Sequence, residues 1–195
     1  ACSGKSSENA NPGSSETAGT TRQKTLIWSV PVLPSGLDVY YYSTLQTMEI
    51  IRNMYDSALT YPPMKVDDSD FIVPDFTKPQ GALAESFTLS EDGRTLTIKL
   101  KEGVMSHNGN ELVADDFIYE RNRQTMLIGL DNWQNDGMGI TNPDKQVKKI
   151  DKYTFSITTE EPNPILIPIM THMANHMIDS VEYKKHEGAA DDPDG

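Results

Sequence analysis

Three places in this sequence have side chains that could do chemistry. Asp115 and Asp116 are adjacent carboxylates. Paired carboxylates act as general acid and base when both face one reacting group. Neighbours on a helix point about 100° apart, so these two do not converge. Their position in a first helical turn suits the positive end of the helix dipole instead. His172 and His176 are four residues apart in His172-Met173-Ala174-Asn175-His176. On a helix that spacing can hold a metal ion, and nearby Met170, Met173 and Met177 would suit a soft one. No Glu follows the first histidine, so the metalloprotease pattern is absent. The pair therefore reads as structural or surface histidines, with a metal as the weaker alternative. Cys2 is the lone cysteine, which excludes an internal disulfide framework and an all-cysteine zinc site.

The chain has 195 residues, 36% of them hydrophobic and 24% charged, with a net charge of -12. That length allows one domain with a real core, or parts of two. Such acidity repels nucleic acid, and no nucleic-acid partner is expected. No apolar run is long enough to span a membrane as a helix. No Gly-rich phosphate loop or internal repeat is present, and no cofactor is expected.

The N-terminus carries its own signal. Ala1-Cys2-Ser3-Gly4 places a small residue directly before a cysteine, as at the cleavage point of a bacterial lipoprotein signal. Lipidation of Cys2 is expected. Residues up to 24 are rich in Ser, Gly, Thr, Asn and Glu and cannot bury enough apolar surface to offset ordering entropy. They read as a tether between an anchor and a folded body.

The body begins near Thr25-Leu26-Ile27-Trp28-Ser29-Val30, a β-rich run ended by Pro31. Leu45, Met48, Ile51, Met54, Tyr55, Ala58 and Leu59 fall at helical spacing and predict a helix over 43–58. Residues 60–82 read as irregular. Leu96, Ile98 and Leu100 alternate with polar residues after Asp92-Gly93, which predicts a hairpin with one buried face. His107-Asn108-Gly109-Asn110 reads as a second turn. A helix is expected from Ala114 to about Met126, a loop over 129–145, and strand structure over 147–158 with Tyr153, Phe155 and Ile157 inward. Residues 165–177 are apolar enough for a helix, and the last residues look like a chain cut in a loop. The pattern is that of a mixed α/β (α+β) body.

Several strings in this order carry a family resemblance. They are Leu83-Ala84-Glu85-Ser86-Phe87, Asp92-Gly93, Thr95 to Val104, Asn108-Gly109, and Val113-Ala114-Asp115-Asp116-Phe117. Ser35-Gly36-Leu37-Asp38, Val147 to Asp151 and Glu161-Pro162-Asn163-Pro164 agree with them. Together, over about residues 25–185, the chain resembles the family 5 extracellular solute-binding proteins of ABC importers, which carry peptides or nickel. It departs at Met105, Ser106, Asn108, Val39 and Val113. Val113 stands where a Thr usually caps the helix, a loss of about 1 kcal/mol.

The resemblance implies a periplasmic-binding-protein type II-like fold and a non-enzymatic role. It divides the chain into a start of lobe I over 25–45, an inserted accessory domain over 46–165 and a return to lobe I over 166–195. The second lobe would be missing. The implied ligand is an oligopeptide held by main-chain hydrogen bonds, and the implied partners are ABC permease subunits and the membrane, through lipidated Cys2. Val32, Leu33, Pro34 and Ser35 would form the strand-like ligand segment, although Pro34 offers no N–H. Tyr119 falls where the family places an aromatic near the cleft; core packing of its helix explains it equally. A nickel or metal-complex carrier, or a surface interaction module without transport, are the alternatives.

Overall fold

The computed structural model describes Ser29, Asp38, Val39 and residues 45–128, 133–172 and 175–188. Contacts divide the chain between residues 31 and 32, and the fold described is that of the second unit. Cys2, the tether, and Val32, Leu33, Pro34 and Ser35 lie outside the described residues, as does the strand expected over 25–30 apart from Ser29.

Helix α1 (Leu45–Met54) buries Thr47 and Ile51. It ends at Met54, short of the residue 58 that its periodicity predicts. Beyond it the chain is extended. Ser57 bridges to His176, and the Ala58 carbonyl accepts from the N–H groups of Ala82 and Ala84, each at 3.0 Å. Ala58 and Leu59 are indeed buried, but as extended chain. Pairing with segments distant in sequence overrides the local helical signal.

Residues 60–82 are more ordered than their prolines suggest. Strand β1 (Leu59–Thr60) pairs antiparallel with β4 (Gln80–Gly81), and β2 (Pro63–Lys65) pairs with β3 (Ile72–Pro74). Gly81 is obligatory here, since a Cβ would lie 2.1 Å from the Ala84 carbonyl oxygen.

The predicted hairpin forms from β5 (Ala84–Leu89) and β6 (Thr95–Leu100). Gly93 sits at φ 70 in its turn, and the Asp92 carboxylate accepts from Ser90 Oγ at 2.5 Å and Arg94 N at 3.1 Å. Helix α2 (Ala114–Ile128) starts at the expected residue. The presumed loop over 129–145 holds two short helices, α3 (Trp133–Met138) and α4 (Pro143–Gln146). Helix α4 is capped by Asn142, whose side chain accepts from Lys145 N, and opens with Pro143.

Strands β7 (Val147–Lys149) and β8 (Thr154–Thr158) complete an antiparallel sheet in the order β5-β6-β8-β7. Leu96 sits opposite Ile157 and Ile98 opposite Phe155. Strand β8 is not half-buried: Thr154 and Ser156 are covered as well as Phe155 and Ile157, so both of its faces are packed. Helix α2 covers the sheet through Phe117, stacked on Phe155 with ring centroids 4.2 Å apart; both are fully buried. A smaller cluster joins Val39, Ile51 and Ile178, with Tyr55, Tyr119, Leu127 and Tyr183 packed against it.

Among the described residues of 165–177 the α-helix is α5 (Leu166–Ile169), and α6 (Ser180–Tyr183) follows. His172 lies past the end of α5, and His176 is in an extended bridge to Ser57. Met170 and Met177 are buried.

Candidate functional site

A cavity of about 430 Å³ opens where three segments meet. The end of α1 and the turn after it bring Asn53 to Asp56. The loop between β6 and α2 brings Val104 to Asn108 and Leu112. The chain entering α6 brings Met177, Asp179 and Tyr183. Each segment is placed by a specific local cause. Met177 N donates to the Asp56 carbonyl at 3.0 Å, joining the first and third. The second is a tight turn, with Gly109 at φ 82 and Ser106 N donating to Asn110 O at 2.8 Å.

Asp179 ties the second segment to the third. Its carboxylate accepts from Ser106 Oγ at 2.5 Å and from Asn110 Nδ2 at 2.9 Å, and it caps α6 by accepting from Glu182 N at 3.0 Å. Burial pushes its carboxyl up, but these donors outweigh that and hold it below the usual carboxylate range. Its oxygens are committed to these bonds, so Asp179 shapes the cavity. Tyr55 and Tyr183 meet through their hydroxyls at 2.9 Å. Burial first, then this bond, raises the Tyr183 phenol well above its ordinary value. Arg123 holds Asp38 at 2.5 Å, and its guanidinium carbon lies 5.1 Å from the Tyr183 ring centre.

The cavity wall mixes apolar surface from Met54, Leu83, Met105 and Met177 with tyrosine hydroxyls and the side chains of Asn53, Asp56, His107 and Asn108. Its volume falls in the range of small-ligand sites, and its groups suit a partly apolar ligand with hydrogen-bonding ends.

Tyr119 does not line this cavity. It packs on the Val39–Ile51–Ile178 cluster, its hydroxyl donates to Glu187 Oε1 at 2.6 Å, and Lys184 Nζ sits 4.9 Å from its ring centre. Burial, with help from Glu187, pushes its phenol up to about 12. Asp115 pairs with Lys149 at 2.6 Å, while Asp116 accepts from Val113 N at 2.7 Å. That second bond is the reverse half of a capping box, so α2 keeps part of its N-terminal cap although residue 113 has no hydroxyl. His172 and His176 are not joined by a third ligand: among the described residues, no three His, Cys, Asp or Glu side chains come together to hold a metal.

Tyr55, Asp179 and Tyr183 were not singled out by the sequence patterns. Asp179 was within reach, since Asp179 followed by Glu182 is a helix-start signature. The tyrosine pair is 128 residues apart and left no local signal.

Comparison with known proteins gives the family of this mixed α/β body. The profile of bacterial extracellular solute-binding proteins, family 5 Middle, matches residues 78–194. The chain belongs to that family. It is 26% identical over 187 residues to a dipeptide-binding protein of Lactococcus lactis subsp. cremoris, covering 89% of this chain and 32% of that relative. It is 31% identical over 114 residues to the glutathione-binding protein GsiB of Escherichia coli, covering 56% of this chain and 20% of that relative. Its fold matches Listeria monocytogenes OppA bound to peptide, with a TM-score of 0.64, 16% identity, and coverage of 80% of this chain and 30% of that one. The chain thus spans a third or less of the curated relatives it matches. The family is described as extracellular. Among the described residues, no helix is long and apolar enough to cross a membrane.

Proposed function

We propose that this protein is the substrate-binding component of an ABC importer, capturing oligopeptides outside the cytoplasm and delivering them to a membrane permease. The observation that carries this reading is the family match over residues 78–194, joined by likeness to a dipeptide-binding protein over nearly the whole chain. The cavity between the end of α1, the 104–112 loop and the start of α6 supports it. That cavity offers hydrogen-bonding groups set in apolar surface and a volume suited to part of a short peptide. The protein acts by binding, and peptide leaves it chemically unchanged.

The layout we assign follows the same reading. Residues 1–24 form a tether anchored by lipid on Cys2, 25–45 begin lobe I, 46–165 form an inserted domain, and 166–195 return to lobe I. Val32, Leu33, Pro34, Ser35 and Tyr119 contact the ligand. The test is uptake of a labelled tripeptide by cells with and without the gene. Uptake that falls when the gene is removed supports an importer role. Unchanged uptake of every peptide tried, or recovery of cleaved peptide from the purified protein, contradicts it.

A further inference from the structure

A second, smaller recess of about 160 Å³ lies beside the cavity, with Tyr55 and Asp56 lining both. Its wall is mostly polar, formed by Arg52, Ser57, Thr60 and Thr171 around the ring of His176. Two features of it are unsatisfied. His176 is only 5% exposed, and its Nδ1 has no hydrogen-bond partner. A buried polar atom left this way loses its water contacts without compensation, which marks a place where a partner belongs. Arg52 is the second. Arg94, Arg121 and Arg123 each hold a carboxylate, on Glu161, Glu120 and Asp38. Among the described residues Arg52 has no such partner, in a chain whose net charge is -12.

We propose that this recess binds a small oxyanion group, a carboxylate or its inorganic equivalent, held by the Arg52 guanidinium, the Thr60 hydroxyl and a ring N–H of His176. Guanidinium recognises such groups through paired N–H donors, and an imidazole ring in a polar recess supplies a further donor.

The charged groups around the recess favour an anion on balance. Arg52 comes from the last turn of α1, and His172 lies on the same segment as His176. Lys101, just past β6, donates to the Ala82 carbonyl at 2.6 Å, and Ala82 is part of the wall. Against these stand Asp56 and the carbonyl end of α1. Burial and the Arg52 charge depress both histidines, His176 to about 4. A bound anion would offset the positive charge and favour the protonated rings, so binding should tighten as pH falls.

The chain has four histidines, so their ring signals can be assigned one by one in its NMR spectra. Sulfate keeps its charge over the working pH range and tests the site without any peptide. It should shift the His176 ring signals saturably and bind about tenfold more tightly near pH 5 than near pH 7. Arg52→Gln, at an exposed position, should abolish the shift without moving the urea midpoint. Asp56→Asn should strengthen binding. Triglycine and its C-terminal amide separate the sources. If triglycine displaces sulfate and the amide does not, the anion is a peptide carboxylate; if neither does, it is a free ion. No saturable shift of His176 with either sulfate or triglycine, or a shift that survives Arg52→Gln, overturns the proposal. Peptide binding measured elsewhere on the protein would be unaffected by that outcome.

Discussion

The Asp116 carboxylate accepts the backbone N–H of Ser180, 64 residues away, at 2.8 Å, while its other oxygen accepts Val113 N at 2.7 Å. One buried side chain therefore closes the start of α2 and fixes the first residue of α6. Since α6 supplies Tyr183 to the cavity, this bond couples the sheet-covering helix to the candidate site.

Asp116→Asn keeps the shape but replaces one acceptor by an N–H₂ group facing a backbone N–H. The loss should be about 2–3 kcal/mol, the cost of a charge-assisted bond replaced by a buried clash of donors. Urea unfolding should show a lower midpoint with an unchanged slope.

Phe155 is fully buried and stacked on Phe117 at an interplanar angle of 15°. Phe155→Ala opens a cavity between α2 and the sheet and should cost about 3–5 kcal/mol. Phe155→Leu refills most of that volume and should cost much less. Comparison of the two variants by urea unfolding separates lost volume from a general intolerance of the position.

His176 gives the stability a distinct pH limb. Unfolded, its ring titrates near 6.5; folded, burial and Arg52 bring it to about 4. Between those values the unfolded chain holds more protons, so stability rises with pH and levels off above about 6.5. It is lost as pH falls toward 4, by about 3 kcal/mol from this group. His176→Gln should flatten the wild-type difference between unfolding midpoints measured at about pH 4.5 and pH 7.

Asp179 holds the loop that carries Ser106 and Asn110 against the start of α6. Asp179→Ala should cost about 1–3 kcal/mol through loss of the cap and of bonds to a buried carboxylate. It should also weaken any ligand of the cavity about tenfold, because the 104–112 loop loses its anchor. Tyr183→Phe removes one hydroxyl bond to Tyr55 and should cost about 1 kcal/mol. Calorimetric titration of both variants checks the order.

The parts of the fold legible in sequence are those written locally. Leu96, Ile98 and Leu100 alternate, Gly93 supplies the positive φ, and Ala114 precedes its helix-start acids Asp115 and Asp116; all three signals lie within a few residues of what they specify. The end of α1 was not legible, because Ser57 and Ala58 are drawn out by partners at 176 and at 82 and 84. The same holds for 165–177, where His176 leaves helical geometry to meet Ser57. Helix α4 differs: Asn142-Pro143 is a readable start signal, passed over because the surrounding Gly, Asn and Asp residues resembled a loop. At the site, the turn at 107–110 was visible, whereas the meeting of Tyr55 with Tyr183 depends wholly on tertiary packing.

The account rests on capture of short peptides, and thermal unfolding of the full-length protein against a mixed di-, tri- and tetrapeptide library tests that most directly. A ligand at about 100 times its Kd should stabilise the protein by about 2.7 kcal/mol and raise Tm in proportion to the logarithm of peptide concentration. A Tm that stays fixed across the whole library at millimolar peptide would contradict it.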